Sequence, residues 1–184
     1  SLMAKARGEV HQKSWMNIEG GAYEVNGKGS LLVSEPFLFR NVSNEMADKI
    51  SKEDFENEFQ DMLGVTNVIW LGEGLAEDEG WGSFFDNKYT VGGTRGHVDE
   101  FARFVNPTTI LLAWVNEAEK DLNSIKALSY ARMQKNYEIL KNALDQDGKP
   151  FTIVKVPLPD HFFKERILDK KVMDNVGRKA FYER

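Results

Sequence analysis

The sequence predicts an α/β fold built from two copies of one β-β-α-β unit, and three observations predict it. A hairpin signal opens each copy, Asn26-Gly27 in the first and Asn106-Pro107 in the second. One helical stretch follows in each, closed by Gly64 in the first and by Asp147-Gly148-Lys149-Pro150 in the second. A strand-like run then ends each copy, Val65 to Leu71 and Phe151 to Val156.

Residues 1–17 are polar and irregular and read as an arm in which His11 is solvated. The first unit occupies residues 18–71. Ile18 to Val25 reads as a strand with glycines near its start, and Asn26-Gly27 suits a type I′ turn. Gly29 to Ser34 returns as its partner, ended by Glu35-Pro36 because proline cannot donate to a ladder. Phe37 to Ile50 reads as an irregular passage. Ser51-Lys52-Glu53-Asp54 is a capping box in outline, followed by Phe55, Phe59, Met62 and Leu63 at helical spacing. Residues 73–96 form an acidic, glycine-rich stretch with Trp81, Phe84, Phe85 and Tyr89. A loop of that length in a compact domain is a lid, a binding loop or a disordered insert.

The second unit occupies residues 97–156. His97 to Val105 reads as a strand, Asn106-Pro107 as a turn and Thr108 to Val115 as the returning strand. A helix is expected from about Ser124 to Leu144, with Ile125, Leu128, Tyr137, Leu140 and Leu144 facing inward. The tail, 157–184, is mixed, with a helical stretch expected between Lys164 and Asn175. Trp70 and Trp114 read as core, and the whole chain as one domain.

With 184 residues, 41% of them hydrophobic and 29% charged, the chain has the composition of a soluble globular domain. No run reaches the roughly 20 apolar residues that span a bilayer. The start lacks the apolar core of an export signal, so no membrane association is expected and the cytoplasm is the expected compartment. A net charge of −5 without a basic cluster argues against nucleic acid and favours cationic ligands. Cysteine is absent, which excludes disulfides, thiolate metal sites and thiol nucleophiles within this chain.

The chemistry centres on Gly96-His97-Val98-Asp99-Glu100. If this is strand, side-chain alternation puts His97, Asp99, Phe101 and Arg103 on one side, with His97 and Asp99 about 7 Å apart. A titratable pair after the glycine-rich loop Gly92-Gly93 is either the edge of an active site or a hydrogen bond that pins a strand end. Glu19 stands at the same place in the first unit as His97 does in the second, although 78 positions separate them. A pseudo-rotation between the units would bring Glu19, His97 and Asp99 together. A carboxylate beside an imidazole sets its tautomer and raises its basicity, and a second suits a planar guanidinium. Acid-base work on a guanidino carbon needs these groups and a nucleophile. A divalent metal on the same three residues is the weaker option, because His11 and His161 stand at no ligand spacing. His161 reads as solvated or packed.

Several motifs carry a family likeness: Ile18-Glu19-Gly20-Gly21, the hairpin Glu24 to Gly29, Leu63 to Leu71, and Gly96 to Val105 followed by Pro107 and Leu111-Leu112-Ala113-Trp114. Together they resemble the agmatine deiminase and Porphyromonas-type peptidyl-arginine deiminase family, over about residues 18–159 and in the same order. The resemblance implies the pentein fold, a five-bladed α/β propeller of ββαβ modules, with about two modules present here. It implies hydrolysis of a guanidino group to a ureido group with release of ammonia and no cofactor. The implied ligand is agmatine, a similar small guanidino compound, or peptidyl-arginine. By the same resemblance His97 is the general acid and base, Asp99 holds the guanidinium nitrogens, and Glu19 orients His97 or touches substrate. Two family features find no counterpart: an Arg-Asp-x-Gly-Pro segment and the nucleophilic cysteine. The expectation is therefore a middle segment of a deiminase that does not complete the reaction alone and self-associates through exposed module edges. The alternative is a non-catalytic module whose acidic pocket takes a cationic ligand.

Overall fold

The computed structural model describes residues 2–43, 49–80, 83–86 and 89–161, and contains two three-stranded sheets of the same topology. After a short helix, α1 (Leu2–Arg7), β1 (Tyr23–Val25) pairs antiparallel with β2 (Ser30–Ser34), and β2 pairs parallel with β3 (Asn67–Leu71). Between β2 and β3 lie α2 (Glu35–Arg40) and α3 (Lys52–Leu63). A small hairpin, β4 (Ser83–Phe85) and β5 (Tyr89–Val91), separates the two sheets in sequence. In the second sheet β6 (Ala102–Asn106) pairs antiparallel with β7 (Thr109–Trp114), which pairs parallel with β8 (Thr152–Pro157). The crossover between β7 and β8 carries α4 (Ser124–Asn142), as a parallel connection requires.

The capping box of α3 forms as expected. Ser51 accepts from Asp54 N, Asp54 accepts from Ser51 N, and Gly64 closes the helix at φ 69°. Phe55 and Phe59 are buried on its inner face, whereas Met62 and Leu63 in the last turn are exposed. Phe37 to Arg40 is helical rather than irregular, because Pro36 occupies the first turn of α2, where its missing N–H is no loss. The first hairpin turn spans four residues, 26–29, and not the two of a type I′ turn. Asn26 Oδ1 accepts from Lys28 N and Ser30 N and so sets the longer loop. Within 73–96, residues 74–79 and 94–96 are tied down by bonds taken up below. Trp81 and the side chains of Phe84 and Tyr89 lie outside the described residues, as does the stretch from Lys164 to Asn175.

Two apolar clusters flank the first sheet. Leu31 and Val33 of β2 join Ala22, Phe37, Leu38, Phe55, Phe59 and Val65 on one face. Leu32 points the other way and packs with Ile69, Leu71, Met133 and Leu140 and with Val98, Phe101, Ile110 and Leu112 of the second unit. Alternation along a strand covered on both faces explains why all of β2 is buried. Helix α4 thus lies between the two sheets. Ile125 and Leu140 face inward as expected and Leu128 and Tyr137 are half-buried, but Leu144 falls beyond the helix and is exposed. The buried face is completed by Lys126, Ser129, Met133 and Asn136, three of them polar.

The first strands of the two units lie side by side and run the same way. At one end Glu19 meets His97. Midway Glu24 Oε1 accepts from Phe104 N at 3.3 Å and pairs with Arg103 Nε at 3.2 Å. At the far end Asn26 Nδ2 donates to Pro107 O at 2.8 Å, joining the two hairpin turns. Equivalent points of the two units therefore meet along one line, as units related by a rotation about that line would.

Candidate active site

The sequence placed His97 and Asp99 in a strand, and the structure corrects this. Val98–Glu100 is a 3-10 turn and the strand begins only at Ala102. The reason is packing: Val98 and Phe101 are both buried in the same cluster. Residues three apart share a side in a three-residue turn but fall on opposite faces of a strand. Likewise Gly20–Ala22 is a 3-10 turn ahead of β1, and Glu19 immediately precedes it. Glu19 and His97 thus keep equivalent places, each just before such a turn.

The structure brings all three expected residues together. His97 Nε2 lies 2.8 Å from Glu19 Oε2, with the imidazole buried and the Glu19 side chain 75% exposed. The approach is off the ring N–H axis, so the contact is a close approach and not a directed hydrogen bond. On the other side of the ring, His97 Nδ1 and both Asp99 oxygens crowd one point above Gly21. A Cβ there would meet them at 2.5, 2.6 and 2.8 Å. Only glycine leaves that space open. Phe37 and the imidazole meet edge to face, ring centroids 4.8 Å apart at 79°. Asp99 Oδ1 is shielded from solvent and has no hydrogen-bond partner among the described residues.

The neighbouring Glu100 carboxyl is pushed above its ordinary value by burial, then by the Asp78 and Asp99 charges, with His97 opposing. Asp78, Asp99 and Glu100 therefore lie close enough to feel one another's charge beside one imidazole. Among the described residues no group of three or more His, Asp or Glu is arranged to hold a metal ion. His11 is exposed. His161 is packed, with Nε2 2.9 Å from Glu77 Oε1, far from ligand spacing to His97 in sequence.

Sequence reasoning did not single out Gly21 and Phe37, which pack on the site, or Asp78, whose charge acts on Glu100. Gly21 carried a usable signal as the second of two glycines after Glu19. Asp78 carried none, being the middle of the acidic run Glu77-Asp78-Glu79.

Comparison with known proteins agrees with this architecture. The family described as Porphyromonas-type peptidyl-arginine deiminase matches residues 1–176. The agmatine deiminase of Pseudomonas syringae pv. syringae is 34% identical over 146 residues, 79% of this chain and 33% of that protein. Among solved structures, agmatine deiminase of Enterococcus faecalis superposes with a TM-score of 0.62 at 26% identity, over 86% of this chain and 37% of that one. The putative arginine deiminase from Porphyromonas gingivalis gives 0.60 at 27% identity, over 79% and 36%. The chain spans about a third of the length of the curated relative quoted. No helix among the described residues is long and apolar enough to cross a membrane. The repeated ββαβ topology is that of pentein modules, and with nearly its whole length matched, the chain belongs to the family of agmatine deiminases and Porphyromonas-type peptidyl-arginine deiminases.

Proposed function

We propose that this chain supplies the imidazole and two carboxylates of a site that hydrolyses a guanidino group. The observation that supports the reading is the convergence of Glu19, His97 and Asp99 beside Gly21. A guanidinium presents paired N–H donors in a plane, and a carboxylate accepts them two at a time. Asp99 is the residue to hold it. Glu19, 2.8 Å from Nε2, orients the imidazole or touches the substrate.

His97 then works as acid and as base. A thiolate adds to the guanidino carbon and the C–N bond breaks, the leaving nitrogen taking a proton from His97 and departing as ammonia. Neutral His97 next takes a proton from water as the oxygen adds to the thiouronium carbon. Collapse expels the thiolate, the remaining hydroxyl proton passes to the released ammonia, and a ureido product is left. No thiol is present in these 184 residues. On this reading the chain alone binds a guanidino compound without turning it over. The relatives are agmatine deiminases, which points to agmatine, and the family is that of peptidyl-arginine deiminases, which points to peptidyl-arginine. Self-association through β8 belongs to the same reading, since Val154 and Val156 there are 42% and 40% exposed.

The missing thiol also favours a second reading, a binding module that takes organic cations in general. Calorimetry with agmatine and with putrescine, a diamine lacking the guanidino carbon, separates the two. A guanidine site prefers agmatine and loses it in Asp99→Asn; a general cation pocket takes both alike. The purified chain should release no ammonia from agmatine above background. Turnover without a cysteine would show the thiol route to be wrong, and failure of the parent chain to bind agmatine would end the reading.

A further inference from the structure

We propose that Asp78 and Thr94 are positioning residues that fix the backbone presenting His97, an inference that rests on the role given to His97 above. Asp78 is 8% exposed and ends the 3-10 turn Ala76–Asp78. Its side chain gathers three donors from one short loop. Oδ1 accepts from Thr94 N at 2.5 Å, and Oδ2 accepts from Thr94 Oγ1 at 2.6 Å and from Gly96 N at 2.7 Å. Its main-chain carbonyl accepts from Arg95 N at 2.9 Å. Thr94 Oγ1 in turn accepts from His97 N at 3.1 Å. The proton order is consistent along the whole path, from His97 N–H to the Thr94 oxygen and from the Thr94 O–H to the Asp78 carboxylate.

Two further features show that this loop is held and not merely touched. Arg95 has φ 70° and Gly96 φ 100°. A side-chain-bearing residue stays in that region only when its surroundings over-determine it. The Asp78 carboxylate also fills the space over Gly93, where a Cβ would overlap Oδ1.

The turn that carries Asp78 is itself anchored to α4. Ala76 N donates to Ser129 Oγ at 2.9 Å, and Ser129 Oγ donates to Glu77 Oε2 at 2.5 Å. Arg132 donates to Gly74 O at 3.3 Å and to Glu79 Oε1 at 2.6 Å. The rigidity of a 19-residue helix thus reaches the imidazole through one carboxylate and one hydroxyl. A supporting shell of this kind holds a working side chain within the narrow tolerance its chemistry needs.

Thr94→Val keeps the shape and removes the hydroxyl, Thr94→Ser keeps the hydroxyl, and Asp78→Asn removes the charge and an acceptor. Each is made in the 184-residue chain. The readouts are the His97 ring signals in long-range 1H–15N spectra, with His11 as internal reference, and agmatine affinity by calorimetry. Thr94→Val and Asp78→Asn should shift and broaden the His97 signals and weaken agmatine about tenfold or more. Thr94→Ser should restore the parent behaviour. A Thr94→Val chain with unchanged His97 signals and unchanged affinity overturns the proposal. If Asp78→Asn unfolds, the Thr94 pair decides. If the parent chain binds no agmatine, the guanidine reading falls by itself, and the His97 signals still judge the relay.

Discussion

Replacing Gly21 with alanine tests the site while disturbing little else. A Cβ at Gly21 lies 2.5 Å from His97 Nδ1, 2.6 Å from Asp99 Oδ1 and 2.8 Å from Asp99 Oδ2. Comfortable contact needs about 3.5 Å, so each group must retreat by roughly 0.7–1 Å. The imidazole has little room to do so, with the Phe37 ring on it and the Glu19 carboxylate at Nε2. Gly21 has no positive φ, so alanine brings no backbone strain there. Gly20 supplies the control: the same change, in the same turn, with nothing within 4 Å of the new methyl. Both variants gain about 0.4–1 kcal/mol from a stiffer unfolded chain, and that gain cancels in the comparison. What remains is overpacking, about 1–3 kcal/mol. For a domain of this size each kcal/mol moves Tm by about 2–4 °C. Gly21→Ala should therefore melt about 2–12 °C below Gly20→Ala. Agmatine affinity should fall about tenfold or more in Gly21→Ala alone, because the two groups it needs have moved apart. Circular dichroism melts and calorimetry on the parent and both variants read this out. If Gly21→Ala melts and binds like Gly20→Ala, His97 and Asp99 do not converge over Gly21, and the argument for a site there collapses.

Three other perturbations probe the frame around the site. Burial, then Asp78 and Asp99, hold the Glu100 carboxyl above its ordinary value, so the folded state binds this proton more tightly than the unfolded state. Stability is then lost as pH rises from about 4.5 through the folded value, and Glu100→Gln should remove that loss. Urea unfolding at about pH 4 and about pH 7 should show the variant's advantage only at the higher pH. Asn136, fully buried, accepts from Gly72 N at 2.7 Å and donates to Glu73 O at 2.9 Å. Asn136→Leu takes this partner from the part-buried Gly72 N–H and the Glu73 carbonyl and should lower unfolding free energy by about 1–3 kcal/mol, seen as an earlier urea midpoint. Ser51 bonds hold the Asp54 carboxyl below its usual value, so their contribution is present above about pH 3.8 and is lost as pH falls through the folded value. Ser51→Ala should lower the neutral-pH Tm by a few degrees and leave a smaller deficit in acid.

The sequence made one kind of relation legible and hid another. Repetition was legible: the hairpin signals, the capped helices and the closing strands recur in order, and from that order alone Glu19 and His97 could be matched. The match survives although the element beneath it was misread. Alternation was applied to His97–Val105 because β-branched and aromatic residues dominate there. Yet the positions that enter the core are Val98 and Phe101, a spacing of three that marks a turn. The turn does more for the site than a strand would. It curls Asp99 back toward the His97 ring over Gly21, where strand geometry would hold their Cα atoms about 7 Å apart. The polar lining of α4 stayed hidden for a different reason. Lys126, Ser129 and Asn136 occupy core spacing, but periodicity counts apolar residues, and these are buried because each bonds a group in another segment. Asp78 belongs to the same class, with partners 16 and 18 residues away. Local pattern can tell which strands pair and which units repeat. The shell that holds His97 is built from contacts whose partners no pattern announces, so a reading of this sequence reaches Glu19, His97 and Asp99 before it reaches what keeps them in place.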